Sequence, residues 1–344
     1  MTSEPEITPV LAEYPQECEP SRWQFLAGAG GFSGSLLWLL TTPAGPLCLR
    51  RWPRTESPPR FERQRLKAIH RFLKFVHAAG FDRVPLPRQA RSGHTVIEHA
   101  AHFWDLSTWM PGRADFGANP SEVRLCAAMT ALGEFHCAAE SFPAQSRRRG
   151  RSDGMRRRYH ELCKLMHNEL APLRRCIEPA DWPEMAERST AYYDLAWQLA
   201  PRLVGELTST ANLQVPLQVC LRDVWHENML YEGDRVTAIL DFSTLAVDNV
   251  ATDVARLLGS CVLDDPAGWR AGLEAYESIR PLSADERRLV AAFDRANVIL
   301  SGLNWIRWVY QDRREFDDRP RVLARMDHWL TRIRCLLARS ASEG

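Results

Sequence analysis

The sequence has no C-x-x-C pair, although it holds nine cysteines. Scattered from Cys18 to Cys335, they give neither a zinc nor a dithiol spacing. An odd, dispersed set is what reduced, mostly buried thiols of a cytoplasmic protein look like. Net charge is also nearly absent: 44 basic against 43 acidic side chains exert no overall pull toward nucleic acid or an anionic membrane. No apolar run approaches the ~20 residues needed to span a bilayer, "SLLWLL" being among the longest. The first residues, "MTSEPEITPVLAEYPQECEP", lack the basic start and apolar stretch of a secretory leader, and their acidic, proline-rich composition suggests a mobile segment over 1–21. What is present is a chain of 344 residues, 45% hydrophobic and 25% charged, which reads as soluble, globular and long enough for one large or two smaller cores.

Two apolar runs around "TTPAGP" (41–46) predict a strand hairpin behind a glycine-rich approach. In 58–81, Leu66, Ile69, Phe72, Leu73 and Val76 form a helical stripe that Gly80 terminates. "TVIEH" (95–99) and "HFWDLSTWM" (102–110) read as two further strands, and "PGRADFGANP" (111–120) as a linker. Beyond it the pattern turns helical, with Asn119 as cap and Pro120 in the first turn, then long helices over 155–176, 183–208 and from about 284 onward. The divisions expected are therefore 1–21, a β-rich lobe over 22–112 and a helical lobe over 113–344. "RRRGRSDGMRRR" (147–158) is expected as an exposed basic loop between helices. As a phosphate contact it is the sole support for a nucleic-acid-binding reading.

The helical half is interrupted by "NMLY", "EGD" and "RVTAILDF", an antiparallel hairpin with a tight turn. Asn228 enters its first strand and Asp241 leaves its second, so the two should be neighbours. An amide oxygen and a carboxylate at one sheet end suit Mg²⁺. Asp223, on the loop just before, has the reach to take a proton from a hydroxyl attacking a phosphate. Taken singly, each of these residues is more simply a turn or strand-end group; their joint spacing favours chemistry.

These residues carry a resemblance. "LRDVWHENML" (221–230) and "DFS" (241–243) resemble the catalytic and metal-binding loops of the aminoglycoside phosphotransferase (phosphotransferase enzyme) family. The resemblance implies an α+β, protein-kinase-like two-lobe fold, with a small N-terminal β-rich lobe and a larger, mainly helical C-terminal lobe. It implies Asp223 as catalytic base, Asn228 and Asp241 as Mg²⁺ ligands, ATP as phosphate donor and a small-molecule hydroxyl as acceptor. "GAGGFSG" (28–34) is similar to the family's phosphate-covering loop, which makes Gly28, Gly30, Gly31, Phe32 and Ser33 nucleotide contacts. "DNVATDVARLLGS" (248–260) resembles the segment in which Asp253 would brace the catalytic loop through its amides.

Three departures accompany it. Leu221 stands where the family has a histidine. "CLRRW" offers Arg50, or else Arg51, in place of the phosphate-binding lysine, and the two cations are not interchangeable. The helix has no glutamate in register: Glu62 lies early, and His70 is the alternative on that face. They leave open a binding protein of kinase-like fold that acts through protein partners. His226 reads as positional, Trp225 as substrate contact or packing, and Trp305, Trp308 and Tyr310 as core or as an acceptor pocket.

Overall fold

The computed structural model describes residues 7–26, 34–143 and 148–342; Gly28, Gly30, Gly31, Phe32 and Ser33 lie outside them. Contacts group the chain into two compact units. One comprises Met1–Asn119, Cys137–Phe142 and Glu227–Leu245, the other Pro120–His136, Pro143–His226 and Ala246–Gly344.

In the first unit, helix α1 (Thr8–Leu11) precedes strands β1 (Arg22–Phe25), β2 (Leu36–Thr42) and β3 (Gly45–Arg51). Helix α2 (Pro59–Ala78) and strands β4 (Ile97–His99) and β5 (His102–Thr108) follow. The strands form an antiparallel sheet in the order β1-β2-β3-β5-β4. Gly45, at φ +95°, turns the chain between β2 and β3, as the turn signal predicts. Leu66, Ile69, Phe72, Leu73 and Val76 of α2 are all buried, so the 3.6-residue period marks the packed face.

Side chains alternate across a strand, and the alternation decides what each sheet face does. Trp38 and Leu40 of β2, Leu47 and Leu49 of β3, and Trp104 and Leu106 of β5 share one core cluster with Ile7, Val10, Tyr14 and Cys18. Residues 7–18 are therefore packed, which corrects the expectation of a mobile 1–21 for that stretch. Two apolar sheet faces leave one needing a cover, and Ile7, Val10, Leu11 and Tyr14 already carry a helical spacing beneath the proline-rich composition.

Strands β8 (Met229–Glu232) and β9 (Arg235–Ile239) form the antiparallel hairpin, with Gly233 in its turn at φ +59°. The hairpin was expected in the helical lobe but groups with the sheet unit. Backbone hydrogen bonds explain this: Tyr231 and Arg113 exchange two at 2.9 Å, and Ile239 N–H donates to Arg83 O at 2.9 Å. Gly112, at φ +100°, allows that approach; a Cβ there would sit 2.8 Å from the Tyr231 carbonyl oxygen. The linker expected at 111–120 thus takes part in the first unit's fold.

The second unit holds most of helix α3 (Glu122–Glu140), strand β6 (Arg148–Gly150) and helices α4 (Asp153–Lys164), α5 (Leu170–Cys176) and α6 (Pro183–Thr210). Strand β7 (Val215–Cys220), strand β10 (Ala246–Asp248) and helices α7 (Ala251–Val262), α8 (Pro266–Glu277), α9 (Ala284–Ile306) and α10 (Arg319–Ser342) complete it. Ser121, not Asn119, caps α3, accepting from Arg124 N–H at 3.2 Å. The basic stretch is no simple loop: Arg148–Gly150 pairs with β7, and Ser152 caps α4 by accepting from Met155 N–H. Gly302 lets α9 pass against the ring of Tyr192 on α6, whose hydroxyl donates to Val298 O. A methyl there would collide with the fully buried Tyr192 ring. Gly302→Ala is accordingly expected to lower the unfolding free energy by about 1–3 kcal/mol, measured by chemical denaturation; an unchanged midpoint would refute the packing argument.

Candidate functional site

The sheet face opposite the core cluster borders a cavity of about 220 Å³ together with α2. Because Leu47 and Leu49 point into the core, Cys48 and Arg50 point into the cavity. Arg51 takes the other face, over the Trp104 ring at 5.9 Å. The strand period thus selects Arg50 from the pair "RR". Its guanidinium lies 4.9 Å from the Trp52 ring centroid, a cation–π contact that orients it.

Opposite Arg50 in the β3–β5 register stands Asp105, buried and also lining the cavity. Trp52 Nε1–H donates to Asp105 Oδ2 at 2.5 Å, and His70 Nε2 lies 3.4 Å from the same oxygen. Burial pushes the Asp105 carboxyl up. Hydrogen bonding and charge from His70, the charge of Arg50 and the Trp52 N–H outweigh it, and hold the group below the usual carboxylate value. Glu62 takes a different partner: it pairs with Arg65 one turn along α2, and Arg65 Nη1–H donates to Ser243 O at 2.7 Å. The carboxylate nearest the β3 cation in register therefore comes from a strand and not from the helix.

Asn228 and Asp241 both lie at the open end of the hairpin, where Leu240 N–H donates to Asn228 O at 2.8 Å. Asp241 has φ +61°, a left-handed conformation that costs a non-glycine residue about 1–3 kcal/mol. Its Oδ1 accepts from Ser243 N–H at 3.2 Å, and the exposed side chain faces the same cavity as Arg50. The oxygens of Asn228 and Asp241 are hard donors of the type Mg²⁺ takes.

In the second unit β7 runs into the loop bearing Asp223. Asp253, fully buried in the first turn of α7, accepts Leu221 N–H at 2.7 Å and Arg222 N–H at 2.6 Å. These bonds hold Arg222 at φ +71°. Asp223 is exposed; its Oδ1 accepts from Arg256 Nε at 3.0 Å and Nη2 at 2.8 Å. The Arg256 guanidinium in turn lies 4.2 Å from the Trp225 ring centroid, as does that of Arg325. His226 Nδ1 is 2.9 Å from Ser260 O, and its amide donates to Ser260 Oγ at 3.0 Å, so its ring is tied to α7. Trp305 is buried edge-on to Trp308.

Sequence reasoning missed Asp105 and His136. A lone acid inside the apolar run "FWDL" was the available signal for Asp105. His136 gave no signal, being one polar residue on a helix.

The profile of the phosphotransferase enzyme family matches residues 25–292, and the chain belongs to that family. It is 26% identical over 243 residues to a homoserine kinase of Gluconacetobacter diazotrophicus (strain ATCC 49037). The match covers 64% of this chain and 65% of that protein, so the chain spans just under two thirds of the relative's length. Among solved structures, an aminoglycoside phosphotransferase of Alicyclobacillus acidocaldarius superposes with TM-score 0.64 at 15% identity, over 99% of this chain and 97% of the other. A microcompartment-associated aminopropanol kinase superposes with TM-score 0.61 at 15% identity, over 96% of each chain. These structures share the α+β, kinase-like architecture expected from the motifs.

Proposed function

We propose that this member of the phosphotransferase enzyme family transfers the γ-phosphate of ATP to a hydroxyl of a small molecule. The observation that carries the reading is the pairing of Arg50 with Asp241 on one cavity: a fixed cation for phosphate oxygens and a hard carboxylate for a divalent ion. Asn228 and Asp241 would hold Mg²⁺, which when bound neutralises charge on the phosphate oxygens. Gly28, Gly30, Gly31, Phe32 and Ser33 would supply backbone amides to those phosphates.

Asp223 is the base in this reading. Arg256 occupies its Oδ1, and no hydrogen bond to Oδ2 is present among the described residues. Oδ2 receives the acceptor's hydroxyl proton as the new O–P bond forms and the bond to ADP's bridging oxygen breaks. Asp253 steadies that base through the amides of Leu221 and Arg222. The acceptor class follows the relatives: a homoserine kinase and an aminopropanol kinase support a small amino alcohol or hydroxy amino acid.

Arginine at position 50 and Leu221 in the loop favour a second reading, a binding protein without chemistry. The two are separated by ADP release in the presence of a hydroxyl acceptor, and the nucleotide–metal site is tested by thermal unfolding with ATP and Mg²⁺, singly and together, in the wild type and in Asp241→Ala. At 100 times its Kd a ligand adds about 2.7 kcal/mol. A shift of a few degrees that needs both ligands and disappears in Asp241→Ala is expected; no shift at millimolar ATP would sink the kinase reading.

A further inference from the structure

Helix α2 and residues 89–95 border an open groove of about 900 Å³, separate from the cavity that holds Arg50. Lys67, Arg71 and Lys74 of α2 line it together with Arg65, and no aspartate or glutamate does so among the described residues. Several helical arginines meet a carboxylate three positions away: Arg65 has Glu62, Arg156 has Asp153 and Arg288 has Asp285. Lys67, Arg71 and Lys74 have no ion pair or side-chain hydrogen bond among the described residues. Like charges three and four positions apart destabilise a helix. The stripe therefore works against α2, in a chain whose net charge of +1 shows no general excess of cations. The facing wall is a closed turn. Ala90 N–H donates to His94 O and Gly93 N–H to Ala90 O, each at 2.8 Å, with Gly93 at φ +78°; Arg91 N–H ties the turn to Glu13 O at 2.8 Å. His70, 5% exposed, lines both the groove and the cavity, and its Nδ1 lies 2.8 Å from Thr95 Oγ1. Its ring is the wall that the two share.

We propose that this groove binds a small oligophosphate, as a second anion site distinct from the nucleotide cavity. Seven residues of helix rise about 10 Å, so Lys67, Arg71 and Lys74 set three cations in a row about as long as three linked phosphate groups. A ligand with one charge engages one of them, whereas a chain of phosphates neutralises all three and removes their mutual repulsion. The volume is that of a small-molecule site, which runs to about 300–1,000 Å³. A row of three cations is short for a nucleic-acid track, which follows about 4–16 nucleotides.

The proposal stands apart from the kinase reading, and calorimetric titration of tripolyphosphate into the full chain without Mg²⁺ tests it. Wild type is compared with the triple variant Lys67→Gln/Arg71→Gln/Lys74→Gln and with Arg50→Gln, which removes the cation of the nucleotide cavity. The triple variant is expected to lose at least about tenfold in affinity, and Arg50→Gln less than about threefold. Sulfate at equal ionic strength should bind at least about tenfold more weakly than tripolyphosphate. Because the substitutions relieve like-charge contacts, the triple variant should unfold at a midpoint no lower than wild type, which separates loss of binding from loss of fold. A second ATP-binding event that the triple variant lacks would identify the tail of a nucleotide as the ligand; a single event common to both proteins would identify free polyphosphate. Tripolyphosphate binding that is lost in Arg50→Gln and kept in the triple variant would place the anion in the nucleotide cavity. Sulfate binding as tightly, or single-stranded RNA binding more tightly than tripolyphosphate, would mark a general basic surface. Each of these results overturns the proposal. Should the triple variant fail to fold, Arg71→Gln decides it, with a loss of at least about threefold expected and an unchanged affinity overturning it.

Discussion

An Asp223→Asn variant is expected to bind ATP and Mg²⁺ as the wild type does and to transfer phosphate about 10²–10⁴-fold more slowly. Asparagine preserves the shape and an oxygen for Arg256, which holds Oδ1 at 2.8–3.0 Å. It removes only the ability to take a proton. The Leu221 and Arg222 amides are held by Asp253 and not by Asp223, so the loop conformation should survive. Nucleotide-induced thermal shifts and ADP release, measured side by side, separate binding from chemistry. A rate within about tenfold of wild type would remove Asp223 from the role of base.

The largest stability effect is expected at Arg332→Met. Arg332 on α10 is 1% exposed; its Nη2 pairs with Asp294 on α9 at 2.8 Å and its Nε with Asp264 at 3.2 Å. Removing the cation strands Asp294 in a low-dielectric interior, a loss of about 3–5 kcal/mol, against a typical total of about 5–15 kcal/mol. Asp264 is cushioned by Arg339. Burial raises the Asp294 pKa, and Arg332 opposes that rise; without Arg332 the carboxyl climbs further. A carboxyl whose folded pKa lies above its unfolded value contributes stability at low pH that is lost as pH rises through the folded pKa. The deficit of Arg332→Met should therefore shrink as pH falls from 8 toward 5, in denaturant titrations against wild type. A deficit below about 1 kcal/mol, or one independent of pH, would show that the network is dispensable.

Elements legible in the sequence are those whose cause is local. The β2–β3 turn is written in "TTPAGP", the α2 stripe in a 3.6-residue spacing, and the β8–β9 hairpin in "EGD" between apolar runs. The placing of Asn228 and Asp241 at one end of the sheet follows from that hairpin alone, because antiparallel strands bring its open ends together. The lobe assignment of the same hairpin was not legible, since it depends on backbone hydrogen bonds to Arg113 and Arg83. Nor was β6, a three-residue strand whose basic composition hides its pairing with β7.

By itself, then, the sequence determined the family motifs, the strand and helix periods and the reach of each turn, all of which depend on neighbours a few positions away. Tertiary structure alone decided that residues 7–18 cover one sheet face, that Asp105 stands across from Arg50, and that His136 meets Asp253 from 117 positions away. Such contacts are set by which apolar faces must be buried together and which buried polar atoms must then find partners. That demand is met by the whole fold at once, and no window of sequence contains it.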